Sequence, residues 1–233
     1  MELIVVNTPI KLPTLLAACG LAWICVGLGA NAQGTNAPGP NLCGELTNGY
    51  GPYDYRKERH GALRIVESHH FTREVEQLQR GKEGYLAGDI DYTLRASPNH
   101  HRALIALSKL SMREKTEKLP HTNYTVDCYF DRAMRFQPDD QVARMLYVQH
   151  LLQTNRKADA LQNLQVAGSM AADNAITHRN VGLLYLEAKE LDKALEHASR
   201  ARDLGYPRTD LLDKLRAAGK EVPAPQPAEA KTN

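Results

Sequence analysis

An excess of either charge is what this sequence most conspicuously lacks. Lys and Arg number 29 against 27 Asp and Glu in 233 residues, a formal net charge of +2. So even a balance gives no electrostatic basis for binding nucleic acid or an anionic membrane surface. Catalytic signatures are also missing: there is no Gly-x-Ser-x-Gly elbow, phosphate loop or dinucleotide fingerprint. Asp89 and Asp91 are the one notable acidic pair, but alternate residues of a helix diverge by about 200°, which does not suit two carboxylates flanking a cleft. Cys43 with a distant His is the remaining catalytic candidate. Nine histidines raise the question of a metal. Helical ligands need i, i+3 or i, i+4 spacing, whereas the adjacent pairs His69-His70 and His100-His101 point about 100° apart. His178 and His197 also fail that spacing. Neither a metal nor a cofactor is expected, and the chain is not expected to be an enzyme.

Cysteine is scarce, with four in all, and two of them fall in an apolar N-terminal run. Leu12 to Ala30 is almost uninterrupted hydrophobic sequence, preceded by Lys11 and followed by Ala30-Asn31-Ala32. A basic start, an apolar stretch and small residues before Gln33 have the form of a signal peptide over residues 1–32. Two alternatives compete with cleavage after Ala32. Leu16-Ala17-Ala18-Cys19 has the form of a lipoprotein box, which would lipidate Cys19, and the run is near the minimum length for a retained anchor. Either would associate the protein with a membrane through its N-terminus. Export places the mature chain in the periplasm and removes Cys19 and Cys25. Cys43 and Cys128 then remain, and two cysteines in an oxidising compartment invite a disulfide. The alternative is that Cys128 is a small buried hydrophobe and Cys43 an unrelated thiol.

What the remainder does contain is a period of 34 residues. Ala133, Ala167 and Ala201 stand 34 apart, as do Ala160 with Ala194, Leu151 with Tyr185, Val148 with Gly182, and Ala172 with Tyr206. Such a period indicates stacked helical hairpins, with small residues where helices approach and large ones between. In the last unit, Gly182 admits a facing helix, Leu184, Tyr185 and Leu186 supply bulk, and Ala194, Ala198 and Ala201 form a small-residue stripe. Leu204-Gly205-Tyr206-Pro207 ends it, with Gly as cap and Pro as breaker.

Asn180-Val181-Gly182-Leu183-Leu184-Tyr185, followed by Leu191-Asp192-Lys193-Ala194-Leu195-Glu196-His197-Ala198, resembles a tetratricopeptide repeat. The preceding unit resembles it less closely, with Val148 for the Gly and Leu151 for the Tyr. An all-α solenoid of three to four hairpins is therefore expected over residues 67–219, in units of about 67–100, 101–140, 141–174 and 175–208. The 101–140 unit needs six extra residues, placed at Glu117-Lys118-Leu119-Pro120-His121. A capping helix follows over 209–219, where Leu211, Leu212 and Leu215 share a face. Residues 220–233, rich in Pro and Ala, are expected to be a disordered tail.

Residues 33–66 are expected to be irregular, a Gly, Asn and Pro linker followed by a Tyr- and Gly-rich segment around Tyr50, Tyr53 and Tyr55. A Cys43–Cys128 bridge would tie this segment to the second helix of the 101–140 unit, where the tyrosines would cap the start of the stack. The arrangement from this segment through Cys128-Tyr129-Phe130-Asp131-Arg132-Ala133 also resembles exported proteobacterial repeat proteins of unassigned function.

The tetratricopeptide resemblance implies a concave groove lined by one face of each first helix. In its register those positions are Arg102, Ile105, Lys109 and Arg113, then Val142, Met145, Gln149 and Gln153, then Ile176, Arg179, Leu183 and Glu187. An apolar floor with cationic guides suits an extended or helical protein or peptide partner carrying acidic groups. The expected function is thus a scaffold that recruits an envelope protein. A structural or assembly factor of a secretion, pilus or polysaccharide machine is the alternative.

Overall fold

The computed structural model describes residues 42–223. The expected signal segment, with Cys19 and Cys25, the expected linker over 33–40 and residues 224–233 of the expected tail lie outside the described residues. Among the described residues the chain is all-helical, with eleven helices and no strand. None of these helices is long and apolar enough to cross a membrane.

The last four long helices are α7 (Gln141–Gln153), α8 (Lys157–Ser169), α9 (Ala175–Glu187) and α10 (Leu191–Asp203). α7 packs along α8 and α9 along α10, each pair joined by three residues. The turns recur in their backbone. Asn155 and Lys189, 34 residues apart, both take left-handed φ, +60° and +63°. The starts recur as well, because the side chains of Asp140 and Asn174 accept the amides of Ala143 and Thr177 as N-caps. A cap of this kind satisfies a donor that the helix itself leaves unpaired and is worth about 1 kcal/mol.

Upstream, α5 (His101–Glu114) and α6 (Val126–Phe136) repeat the scheme with a longer connection, residues 115–125. Lys115 takes the left-handed turn position, 40 residues before Asn155, and the His100 Nδ1 caps α5, 40 residues before Asp140. The extra residues lie in this loop, where Leu119 is buried in the core.

Small residues sit where backbones meet. Ala133, Ala160, Ala167 and Ala194 are fully buried. At Gly182 an added Cβ would lie 2.6 Å from Leu211 Cδ2 and 3.3 Å from the Ala194 carbonyl oxygen, so hydrogen is the only substituent that fits without displacement. Leu211 belongs to α11 (Asp210–Ala217), which packs on α9 and α10 and buries Leu211, Leu212 and Leu215. At about 1.5–3 kcal/mol of transfer free energy for each fully buried leucine, those three side chains are the main contribution that docks this eight-residue helix.

The start of the stack departs from expectation. Helix begins within the segment expected to be irregular, as α1 (Tyr55–Glu58) and α2 (Ala62–His70). A four-residue α3 (Arg73–Glu76) and a loop then lead to α4 (Leu86–Ala96), which packs against α2 and α5. The first helical pair is therefore α2 with α4, and it starts five residues before Glu67. Leu63 and Val66 supply its buried positions, a two-residue apolar signal too short to read as a period.

The Tyr-rich segment is ordered by this surface. Tyr55 is buried against His100 and His101, and Tyr50 and Tyr53 pack edge to face at 5.2 Å beside Leu63, Val66 and Ala96. Tyr53 N donates to the Ala96 carbonyl, and Gly51, at φ +101°, allows the approach because a Cβ there would lie 2.3 Å from the same oxygen. Cys43 and Cys128 are joined by a disulfide. Arg132 on α6, buried at 1% exposure, donates to the carbonyls of Cys43 and Glu45, while Arg135 donates to that of Gly44.

Candidate functional site

The face built by α3, α5, α7 and α9 carries a series of clefts. One, about 600 Å³, lies between α7 and α9, with a floor of Val142, Met145, Leu146, Leu183 and Leu184. Gln149, Asn180 and Glu187 line it too, with Lys189 and Lys214. A second, about 160 Å³, sits between α5 and α7, lined by Ile105, Lys109, Gln149 and Gln153 over Phe130. A third, about 580 Å³, is bounded by Arg73, Glu76, Leu78, Arg102 and Lys109. Ile105, Lys109, Met145, Gln149, Gln153, Leu183 and Glu187 therefore share one face, as does Arg102 at its edge. Ile176, 62% exposed, lines none of these clefts.

Three of the four expected cationic guides are committed to internal partners. Arg102 is doubly bonded to the Glu76 carboxylate and lies 3.6 Å from Glu67. Arg113 donates to the Leu78 carbonyl and pairs with Glu114. Arg179 pairs with Asp210 of α11 and lies over the Tyr206 ring. A guanidinium anchored by a carboxylate has little capacity left for a ligand. Lys109 is exposed and has no ion pair among the described residues. The floor is thus more apolar, and its charge more localised, than register alone implies.

The other chemistry-bearing residues are occupied as follows. The Cys43 thiol is consumed in the disulfide, which removes it as a nucleophile. Asp89 accepts from the Lys82 and Glu83 amides and pairs with His70, whereas Asp91 accepts from Arg95, Asn123 and Tyr129. Both are buried, and each binds its own set of partners. His100 meets Glu67, and His101 meets Asp140. His69 is exposed, 3.9 Å from Glu83.

The α9 and α10 hairpin brings together two histidines that sequence spacing leaves apart. His178 Nδ1 and His197 Nδ1 are 2.9 Å apart, and His178 Nε2 lies 2.8 Å from the Ala172 carbonyl. Nε2 of His178 donates to Ala172, and in the Nδ1 pair one ring donates and the other accepts, so the two rings cannot both be protonated at Nδ1. Burial and the neighbouring His178 lower the His197 pKa accordingly.

A buried polar network escaped the sequence pattern entirely. Asn99 donates to Asp54 and Asp140 and accepts the Tyr55 amide. Burial pushes the Asp54 carboxyl up, but hydrogen bonds from Arg56 and Asn99 outweigh it and hold the pKa at about 2. Asp140 caps α7 and binds His101, so one cluster joins the Tyr-rich segment to the starts of α5 and α7. The one signal available in sequence was Asn99 and Asp140 at helix-start positions, which indicates caps and not a network.

No family model, curated protein or solved structure matches this chain.

Proposed function

We propose that this chain is an exported, tetratricopeptide-type α-solenoid that binds a segment of an envelope protein along the face of α5, α7 and α9. The apolar cleft between α7 and α9 carries the reading, because a leucine- and methionine-lined floor with an amide and Lys rim suits the apolar face of a helix or an extended peptide. Recurrent N-caps and left-handed turns at offsets of 40 and 34 support a repeat architecture. The disulfide supports an oxidising compartment, in keeping with the N-terminal signal segment.

The anchors are Met145, Leu146, Leu183 and Leu184, and Lys109 is the guide for an acidic group. A photo-crosslinking residue placed at Gln149 of the full chain, in the cells that produce it, should capture a defined envelope partner. Met145→Glu and Leu183→Glu should each reduce capture at least about tenfold, the scale of one lost interface anchor. Lys193→Glu on α10, away from this face, should leave it intact. Equal capture by all three variants would remove the cleft as the binding site. Charge reversal at Arg102 is a poor test, since it breaks the Glu76 pair first.

A further inference from the structure

The inserted loop 115–125 brings Glu117 over a buried histidine of the next hairpin. His150 on α7 is fully buried, stacked near Phe130, with Nδ1 2.9 Å from Ser108 Oγ. Its Nε2 is also buried and has no hydrogen-bond partner. That atom faces Glu117 Oε2 at 3.9 Å, too far for a hydrogen bond. Asp127, in the first turn of α6, completes the group. One ligand atom from each of Glu117, Asp127 and His150 lies within 4.8 Å of the other two.

A buried ring nitrogen with no partner costs free energy unless something occupies the space before it. Ser108 Oγ can accept a hydrogen bond from Nδ1–H, which leaves a lone pair on Nε2, the ring nitrogen that faces Glu117. A ring nitrogen and two carboxylates thus meet in one place, and of the carboxylates Asp127 is already paired with Arg156. A neutral ring with an unpartnered Nε2 is the form that ligates metals. The Ser108 hydroxyl supplies the outer hydrogen bond that fixes the ring of a metal-binding histidine.

We propose that Glu117, Asp127 and His150 form a binding site for a divalent transition cation of the zinc type. His150 Nε2 would be the nitrogen ligand and each carboxylate would give one oxygen. Ligand bonds of about 2.0–2.2 Å place tetrahedral ligands roughly 3.3–3.5 Å apart. The present spread therefore closes by about an ångström, a shift within reach of the half-exposed Glu117 side chain. Arg156 donates to both Asp127 oxygens. It competes for that carboxylate without exhausting its lone pairs and tunes the affinity downward. A nitrogen ligand disfavours calcium and magnesium, which take oxygen donors. Bound metal would fasten the inserted loop to α7 beside the cleft that His150 and Gln149 help to line.

The test is zinc titration of the untagged full chain by calorimetry, alongside thermal melts with zinc, magnesium or calcium. One equivalent of zinc should bind and raise the melting temperature, and magnesium and calcium should do neither. Glu117→Gln alters an exposed side chain and should weaken zinc at least about tenfold without changing the metal-free melt. Arg156→Gln should tighten it. His150→Ala should abolish binding, and Glu117→Gln keeps the test decisive if that variant fails to fold. Absence of zinc binding would overturn the proposal, as would equal affinity in Glu117→Gln. Binding that survives Glu117→Gln and is lost in His178→Ala would move the metal to the His178 and His197 pair and overturn it equally.

Discussion

Reducing the bond between Cys43 and Cys128 opens a covalent loop with a sequence separation of 85 residues. Chain-entropy closure of a loop that long restricts the unfolded ensemble by about 4–5 kcal/mol at 25 °C. For a domain of this size each kcal/mol shifts the melting temperature by about 2–4 °C, so reduction should lower it by roughly 10–20 °C at most. The folded contacts make this an upper bound on what is lost locally. Arg132 and Arg135 still hold the carbonyls of Cys43, Gly44 and Glu45, and Tyr53 N still donates to Ala96.

The loss should therefore appear first around the Tyr-rich segment. Hydrogen exchange in the reduced protein should deprotect the Tyr53 and Tyr55 amides well before those of α9 and α10. The assay compares calorimetric melts of the full chain, oxidised and reduced, with Cys43→Ser under both conditions. The variant should match the reduced chain and be indifferent to reductant. Coincident melts of oxidised and reduced protein would refute the reasoning, because loop closure acts whatever the local contacts contribute.

Two other outcomes follow from packing and protonation. Gly182→Ala gains about 1 kcal/mol of helix propensity but meets Leu211 and the Ala194 carbonyl. Overpacking of this kind costs about 1–3 kcal/mol, so a net loss of about 1 kcal/mol is expected, with Gly182→Val worse; a melt at or above wild type would remove the close approach as the reason for glycine. Burial lowers the pKa values of His100, His150 and His197 from the ordinary 6.5. Below 6.5 the unfolded chain then binds more protons than the folded one, so stability is intact above that value and declines as the pH falls through it towards the lowered values. The carboxylates held low, Glu67 and Asp140 among them, add a further loss below their ordinary 4.5 and 3.8. Denaturant midpoints flat from pH 7.5 to 5 would contradict the neutral buried histidines.

Sequence by itself determined the helical class, the hairpin boundaries from Asp140 onward and the covering helix at Asp210. The physical reason is locality. N-caps, small-residue spacings and turn residues act within one or two helical turns, so their period survives in one dimension. The six-residue excess expected in the 101–140 unit has the same kind of origin, since the helix-breaking Pro98 and Pro138 stand 40 residues apart where the later period is 34.

Only the tertiary structure decided where the charges went. Arg102, Arg113 and Arg179 were expected to guide a partner, yet Glu76, Leu78 and Asp210 bind them, and these partners come from α3, the loop after it and α11. Pairing of that kind depends on which elements meet, and no spacing encodes it. The same holds for the early start of the first helical pair, which packing against α4 stabilises more than any period of its own. Glu117, Asp127 and His150 stand ten and 23 residues apart and become neighbours only because the inserted loop folds back across α7. Helical spacing rules do not reach a group of this kind, because its three side chains come from three separate elements.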